Sequence, residues 1–590
     1  MKKLIYLLLG ISILTSCTKD FAEINTDPNI GVPPAEFLFT YVEKEMVTYK
    51  GGGAWYHKDH QAMSWGQYLV QGEANSGDIN TILPESKYGT FYGTVMAHLD
   101  EMRLQIGFLS EEEQLSKSKL VAAADVLQAF FALKVTDQFG DIPYSEAGLG
   151  RHEGKLDPVY DKQEAIMLTL VDELNAAIQA LSVNLTDEFN MANVDFIYKG
   201  DASKWIKFAN AVKLRIATRL ESQNLPVAKS IISSVVSDGR LFEGQNDEFT
   251  LDIGNDYRGN TGAGFEWKGL MWAPKPMVEF MKKTVDPRIR IFYENNGYTR
   301  ETLDAIKSDP NSTLSPAIDT INDNKVLYTT ADGEEIYGYR YIGAPTHRQD
   351  PTVGIPGYYM YIDDPNTIGG NTMMVSKWNR RLIQECKHTY GGLPPATGNY
   401  VDVQLSHAEV CFMMAEFILK GYASGDAETW YNKGVASSIR TYNMIGTKGD
   451  LTLRVAGKTY PYLPVSETEI TAYLADPAVA FDGVNNLEKV YVQQFINFYR
   501  LPEEGWKMSM RTGYPKYGSS LLARFPTDNN EIPFPRRAPT PEPGDLNLLN
   551  WEKANAEQGF TNPRDETPAA LNSQRLWWDK NNPAIGSGGN

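Results

Sequence analysis

The sequence predicts a mostly α-helical chain, with a tetratricopeptide-like core of helical pairs and long irregular loops packed over it. Three observations lead there. Apolar residues recur at helical spacing in several segments. Short turns join some of these into pairs. Long stretches rich in Gly, Pro, Asn, Asp and aromatic residues separate them. No clean 34-residue repeat is readable, so the pairs are expected to be irregular.

In chain order, Lys2 and Lys3 precede an apolar run from Leu4 to Leu14 that stops at Thr15-Ser16-Cys17. A basic start, a brief apolar core and a small-residue exit describe an export signal over residues 1–16. The run is too short for a span, which needs about 20 apolar residues. Leu14-Thr15-Ser16-Cys17 resembles a bacterial lipobox, which makes Cys17 the expected lipid anchor. Two or more acyl chains, at ~0.8 kcal/mol per buried CH₂, hold stably. Residues 17–590 then form one body. Only Cys386 and Cys411 remain besides Cys17, too few for a disulfide framework, so an apolar core or two packed lobes must carry stability.

The first helical stretch is expected over about Ser118 to Val135. Ile166, Leu170, Leu174, Ala177 and Leu181 form a second stripe. Trp205, Phe208, Ala209, Val212, Ile216 and Leu220 form a third, with Asp201 placed as its cap and Lys204, Lys207 and Arg215 on its other faces. A fourth, about Leu405 to Leu419, is apolar nearly all round apart from Glu409 and Glu416, the pattern of a buried helix. Residues 245–275 and 335–400 read as long loops, which are rarely idle. Pro526 to Pro543 reads as a surface strap, and residues 580–590 as a frayed tail.

A net charge of −18 argues against nucleic acid as a partner, whose phosphates reward a basic face. His-Glu-x-x-His, Gly-x-Ser-x-Gly and Gly-x-x-x-x-Gly-Lys patterns are absent. His57 and His60 around Asp59 lack further ligands for a metal, and His407 reads as a partner-satisfied helix residue. Asp363, Asp364 and Asn366 form an oxygen cluster that makes structural calcium a candidate, without the order of a dedicated loop; no other cofactor is expected. What the composition does offer is aromatic faces. Flat rings stack on the apolar side of a sugar, and neighbouring polar groups read its hydroxyls. The candidates are Trp55, Tyr56, Trp65 and Tyr68 with Asn75, Asp78 and Asn80 nearby, then Trp267, Trp272, Tyr358, Tyr359 and Tyr361. Trp65 and Tyr68 carry the strongest competing reading as packing residues, because they lie in a possible helix.

Motifs spread along the chain resemble those of SusD/RagB-type outer-membrane lipoproteins. They are Asn25-Thr26-Asp27-Pro28-Asn29, Asp137-Gln138-Phe139-Gly140-Asp141-Ile142-Pro143-Tyr144, and Tyr198-Lys199-Gly200-Asp201 followed by Trp205. Asp286-Pro287-Arg288, Ala408-Glu409-Val410, Ala415-Glu416, Tyr431-Asn432-Lys433-Gly434-Val435, Glu504-Gly505-Trp506, Arg511-Thr512-Gly513-Tyr514-Pro515 and Trp577-Trp578-Asp579 complete the series. Read physically, these residues are scaffold. Gly140 and Pro143 shape a turn, and Glu416 and Lys420 are spaced to pair on a helix. The resemblance implies a tetratricopeptide-like fold and an outward-facing lipoprotein that binds oligosaccharide, or in some members peptide. It also implies a SusC-type TonB-dependent transporter as partner. Asp20, soon after Cys17, resembles the family's surface-export tag. A rival class is a lipid-anchored glycoside hydrolase, which needs two carboxylates roughly 5–9.5 Å apart. Steady release of reducing sugar separates it from a binder.

Overall fold

The structure is a computed structural model. It describes residues 33–46, 62–63, 65–71, 85–252, 254, 271–310, 323–346, 361–363, 371–373, 375–379, 382, 398–455, 458–525 and 534–589. Its helices include α1 (Ala35–Met46), α2 (Ala97–Gly107), α3 (Ser118–Phe139), α4 (Gln163–Leu181), α5 (Ala202–Leu220) and α6 (Leu225–Asp238). Further along come α7 (Lys275–Thr284), α8 (Arg300–Ser308), α9 (His407–Leu419), α10 (Ala427–Lys448), α11 (Asn486–Asn497), α12 (Pro502–Thr512) and α13 (Leu548–Gln558). Consecutive helices pack as pairs, α3 on α4, α5 on α6 and α9 on α10, which is the expected tetratricopeptide-like arrangement.

Local chemistry explains the boundaries. Asp201 caps α5 as expected, its carboxylate accepting from Ser203 N at 3.0 Å and Lys204 N at 3.3 Å. α3 runs to Phe139, past the expected Val135, and stops where Gly140 takes φ +80°. An added Cβ there would run into the Gln558 side chain and come within 2.9 Å of Leu576. That turn therefore requires Gly for both conformation and space.

Most of the interior falls into two large apolar clusters. α1 to α6 build most of the first; α7 and α9 to α11 build most of the second. α9 explains its all-round apolarity by serving both. Val410, Met413, Met414 and Phe417 enter the first core, and Ala408, Phe412 and Ala415 the second. The strands are minor, in five two-stranded antiparallel pairs among the described residues. The pair of β2 (Phe249–Asp252) and β6 (Val401–Leu405) leads into α9.

The motif residues knit the two cores together. Arg215 of α5 donates from Nε and Nη2 to the Glu409 carboxylate at 2.8 and 2.7 Å. It is 1 % exposed, because α9 covers that side of α5. Arg219 joins Asp137 at 3.0 Å to Glu504 at 2.6 Å, and Trp578 Nε1 donates to Asp137 O at 3.1 Å. Burial alone would raise Glu504, but Lys507, Arg215, Arg219 and Lys134 outweigh it and hold the carboxyl well below its usual range. Glu416 and Lys420 pair at 2.8 Å as their spacing predicted. The pair is not on a surface, however: Glu416 is fully buried and also accepts from Arg511 of α12. His407 is a packed helix residue, its ring bonded to Ser437 Oγ at 3.0 Å and Cys411 Sγ at 3.2 Å.

Two expectations about the C-terminal region fail. Residues 534–540 of the Pro-rich strap are buried, not superficial. Arg536 pairs with Asp579 at 2.6 Å, Ala538 N donates to Gln138 O and Trp506 Nε1 donates to Pro535 O. The tail is also tied down. Gly586 and Gly588 donate backbone N–H groups to Gly513 O at 3.0 and 3.1 Å, and Ile585 is buried. Small residues fray only where nothing accepts their backbone bonds, and here Gly513 does.

Candidate ligand-binding face

Where the second core ends, several distant segments meet at one small patch. β1 (Val70–Gln71) pairs with β3 (Met271–Trp272), Val70 opposite Trp272. Trp272 bridges Lys377, and Ala273 N donates to Ser376 O at 2.9 Å. Ala344 N donates to Ala273 O at 2.7 Å, and Lys275 N to Ala344 O at 2.8 Å. Residues 71, 271, 346 and 375 thus border the same patch.

Beneath it lies a third, smaller core of Trp272, Tyr298, Leu303, Tyr339, Ile342, Ala344 and Val375. The patch is rigidly supported from the second core. Trp378 stacks on Tyr499 at 4.0 Å, Tyr499 on Phe292 at 3.8 Å, and Trp378 Nε1 donates to Tyr68 O at 2.9 Å. Stacked rings in a dry interior position what they carry without spending entropy on ligand arrival.

The geometry encloses two of the sequence-predicted binding residues. Trp65 is 4 % exposed, its ring 4.9 Å from that of Trp506. Trp272 is 8 % exposed within the third core. Tyr68 is likewise buried, stacked on Phe495 at 4.3 Å with its hydroxyl donating to Phe495 O at 2.8 Å. Rings so enclosed are packed into the interior beneath the patch. Trp55, Tyr56, Asn75, Asp78, Asn80, Trp267, Tyr358 and Tyr359 lie outside the described residues. So do Cys17, His57, His60, Asp364 and Asn366; Tyr361 and Asp363 are described only as backbone of the strand 361–363. The described residues contain no group of three or more His, Cys, Asp or Glu side chains placed to hold a metal ion.

The sequence reading missed one aromatic group beside the patch. Tyr337 ends β5 (Glu335–Tyr337), which pairs with β4 (Val326–Thr329). Its ring lies parallel to that of Tyr339 at 5.5 Å, and the Arg300 guanidinium of α8 sits 4.7 Å over Tyr339. Tyr337 remains partly exposed, with its hydroxyl donating to Glu335 at 2.5 Å; that carboxylate raises the phenol above its ordinary value. The signal was present in Tyr337-Gly338-Tyr339-Arg340-Tyr341, where aromatics alternate.

This fold and patch define the class of protein. The SusD-like family model, described as starch-binding and associating with the outer membrane, matches residues 30–332 and 360–541. The chain belongs to that family. No curated protein sequence matches it. Among solved structures, it is similar to a chitin-binding protein at 20 % identity and TM-score 0.65, covering 93 % of this chain and 100 % of that one. A SusD homologue from Bacteroides fragilis matches at 20 % identity and TM-score 0.65, covering 92 % and 100 %. A chitin-binding SusD homologue from Flavobacterium johnsoniae matches at 18 % and TM-score 0.59, covering 93 % and 99 %. None of the helices, among the described residues, is long and apolar enough to cross a membrane.

Proposed function

We propose that this chain is a cell-surface glycan-binding lipoprotein, anchored through Cys17, that captures oligosaccharide and delivers it to a SusC-type TonB-dependent transporter without cutting it. The observation that carries this reading is the convergence at the β1–β3 patch. The segments bearing Trp55 and Tyr56, Asn80, Trp267, and Tyr358 and Tyr359 are flanked by residues 62, 71, 271 and 346. Three of those flanks are hydrogen-bonded neighbours or one or two residues from one, and residue 62 precedes the turn in which Tyr68 N bonds Met63 O. The described ends of these segments therefore meet at one patch, which supports reading the aromatics between them as parts of one stacking platform. Such an open platform encloses little of its ligand, so each site binds weakly. The membership in a starch-binding family supports a glycan ligand, and the chitin-binding relatives make chito-oligosaccharides the first to titrate.

The test is tryptophan fluorescence of the purified chain titrated with chito- and malto-oligosaccharides, and separately with peptides. Oligosaccharide quenching that Trp267→Ala and Tyr358→Ala remove supports the reading. Quenching by peptides alone shifts the ligand to peptide, and steady appearance of reducing ends overturns the binding role in favour of hydrolysis. Co-purification of a barrel transporter from mild detergent extract tests the partner, and acyl labelling lost in Cys17→Ala tests the anchor.

A further inference from the structure

A separate cleft lies in the helical core and shares no residue with the aromatic face. It has a volume of about 300 Å³ and opens between α2, α3, α4 and the turn that follows Pro143. One wall is apolar, formed by Met96, Ala147, Leu149 and Ile166. The other is a row of acceptors: Asp100, Gln128, Asp161 and Glu173. At the lower end of small-molecule pocket sizes, roughly 300–1,000 Å³, this volume suits one monomer-sized ligand and not a chain.

The charge balance indicates what that ligand carries. Among the described residues, Arg103 is the cation bonded into the row, donating to Asp100 at 3.0 Å, Gln128 at 2.8 Å and Asp125 at 2.7 Å. Asp161 is occupied by the backbone N–H groups of Tyr144 and Ser145 and by the Ser145 hydroxyl. Glu173 accepts from the Tyr144 hydroxyl at 2.6 Å through one oxygen only. Burial raises Asp125 and Glu173 above the ordinary carboxylate range, with Arg103 opposing the shift in both. Among the described residues, the lining carboxylates Asp100, Asp161 and Glu173 outnumber the guanidinium beside them, in a partly enclosed volume with an apolar wall opposite. A ligand that donates hydrogen bonds and brings positive charge completes it. The floor is shaped for close approach: Gly148 has φ +81°, and a Cβ there would run into the Asp100 carboxylate.

We propose that this cleft binds a monomer-sized ligand bearing a primary ammonium flanked by hydroxyls, an amino sugar being the type case, with Glu173 and Asp100 receiving the ammonium. The mouth offers the means of testing it, since Ala165 and Thr169, one turn apart on α4, are both exposed at the rim. Ala165→Trp fills the entrance from the solvent side and leaves the core packing alone.

The experiment is calorimetric titration of the full chain in detergent at pH 6.5 with glucosamine, glucose and n-butylamine. Glucosamine is expected to bind, with glucose and n-butylamine each weaker by about tenfold or more, since each lacks one half of the recognition. Glu173→Gln should weaken glucosamine by about ten- to a hundredfold, the loss of a charge-assisted bond. Ala165→Trp should abolish it, with thermal midpoint and oligosaccharide quenching at the aromatic face unchanged. Failure of wild type to bind glucosamine, survival of binding in Ala165→Trp, or equal affinity for glucose or n-butylamine overturns the proposal. Because oligosaccharide quenching is read in the same variants, failure of the cleft and failure of the aromatic face are told apart.

Discussion

Removing the Glu409 carboxylate should cost far more than removing any surface partner. Arg215 and Glu409 lie across the boundary of the two cores, each side chain 2 % exposed, joined by two bonds of 2.8 and 2.7 Å. Burial acts to lower the guanidinium's affinity for its proton, but Glu409 and Glu504 outweigh it, so Arg215 is held charged more firmly than usual. Its Nη1 has no hydrogen-bond partner even in the intact protein. In Glu409→Ala the charge stays, stripped of its bidentate partner, and the expected loss is ~3–5 kcal/mol. Against a total stability of ~5–15 kcal/mol, that is a large fraction. An exposed pair supplies the comparison: Arg440 and Glu467 approach to 2.6 Å with side chains 44 and 69 % exposed, and Glu467→Ala should cost ~0–1 kcal/mol. Replacing both buried partners, as Arg215→Met with Glu409→Leu, removes the desolvation cost along with the attraction and should recover most of the single-variant loss. Urea unfolding followed by tryptophan fluorescence measures all four proteins. If Glu409→Ala is no more destabilising than Glu467→Ala, or if the double variant is worse than the single, the account of the core as joined by buried charge is wrong.

Other expectations follow from single sites. Burial pushes Glu248 up to about 8 from its ordinary 4.5, although Thr441 Oγ1 and His407 N donate to it at 2.7 and 3.1 Å. An acid whose folded value is raised costs stability progressively as pH climbs from about 4.5 to about 8, because only the unfolded chain ionises there. Glu248→Gln should therefore gain on wild type between pH 5 and pH 8 in urea midpoints, and an equal gap at both pH values would refute this. His407, pushed down to about 4 by burial, acts oppositely as pH falls below 6.5, but it is present in both proteins and cancels. Gly140→Ala should lose about 1–3 kcal/mol from the left-handed backbone alone, more with the Leu576 contact, read as a fall in the thermal midpoint. Truncation after Pro583 exposes the surfaces that Ile585 covers and frees Gly513 O, and should cost ~1–3 kcal/mol and open the 513–525 segment to proteolysis. Unchanged protease patterns would restore the frayed-tail reading.

The helices were legible because their determinants are local. The stripes at Ile166 to Leu181 and Trp205 to Leu220, the Asp201 cap and the Gly140 stop each act within a few residues. Even the all-round apolarity of α9 announced burial. What was invisible was which side of a helix meets which neighbour. That Arg215 meets Glu409 was hidden because the two lie 194 positions apart. The Glu416–Lys420 pair read as superficial because Arg511 arrives from another helix. Trp65 and Trp272 looked like binding aromatics for the same reason.

By itself, then, the sequence determined the helical class, the main helix positions, the chain's resemblance to a family and the scaffold character of its motifs. All of these follow from periodicity, capping and short motifs read in order. Only the tertiary structure decided which of the described aromatics are buried, that the strap and tail are pinned, and that an acceptor-lined cleft opens behind the Pro143 turn. The physical reason is that burial and charge pairing depend on distance in space, and contacts between residues hundreds of positions apart leave no periodic mark on the chain.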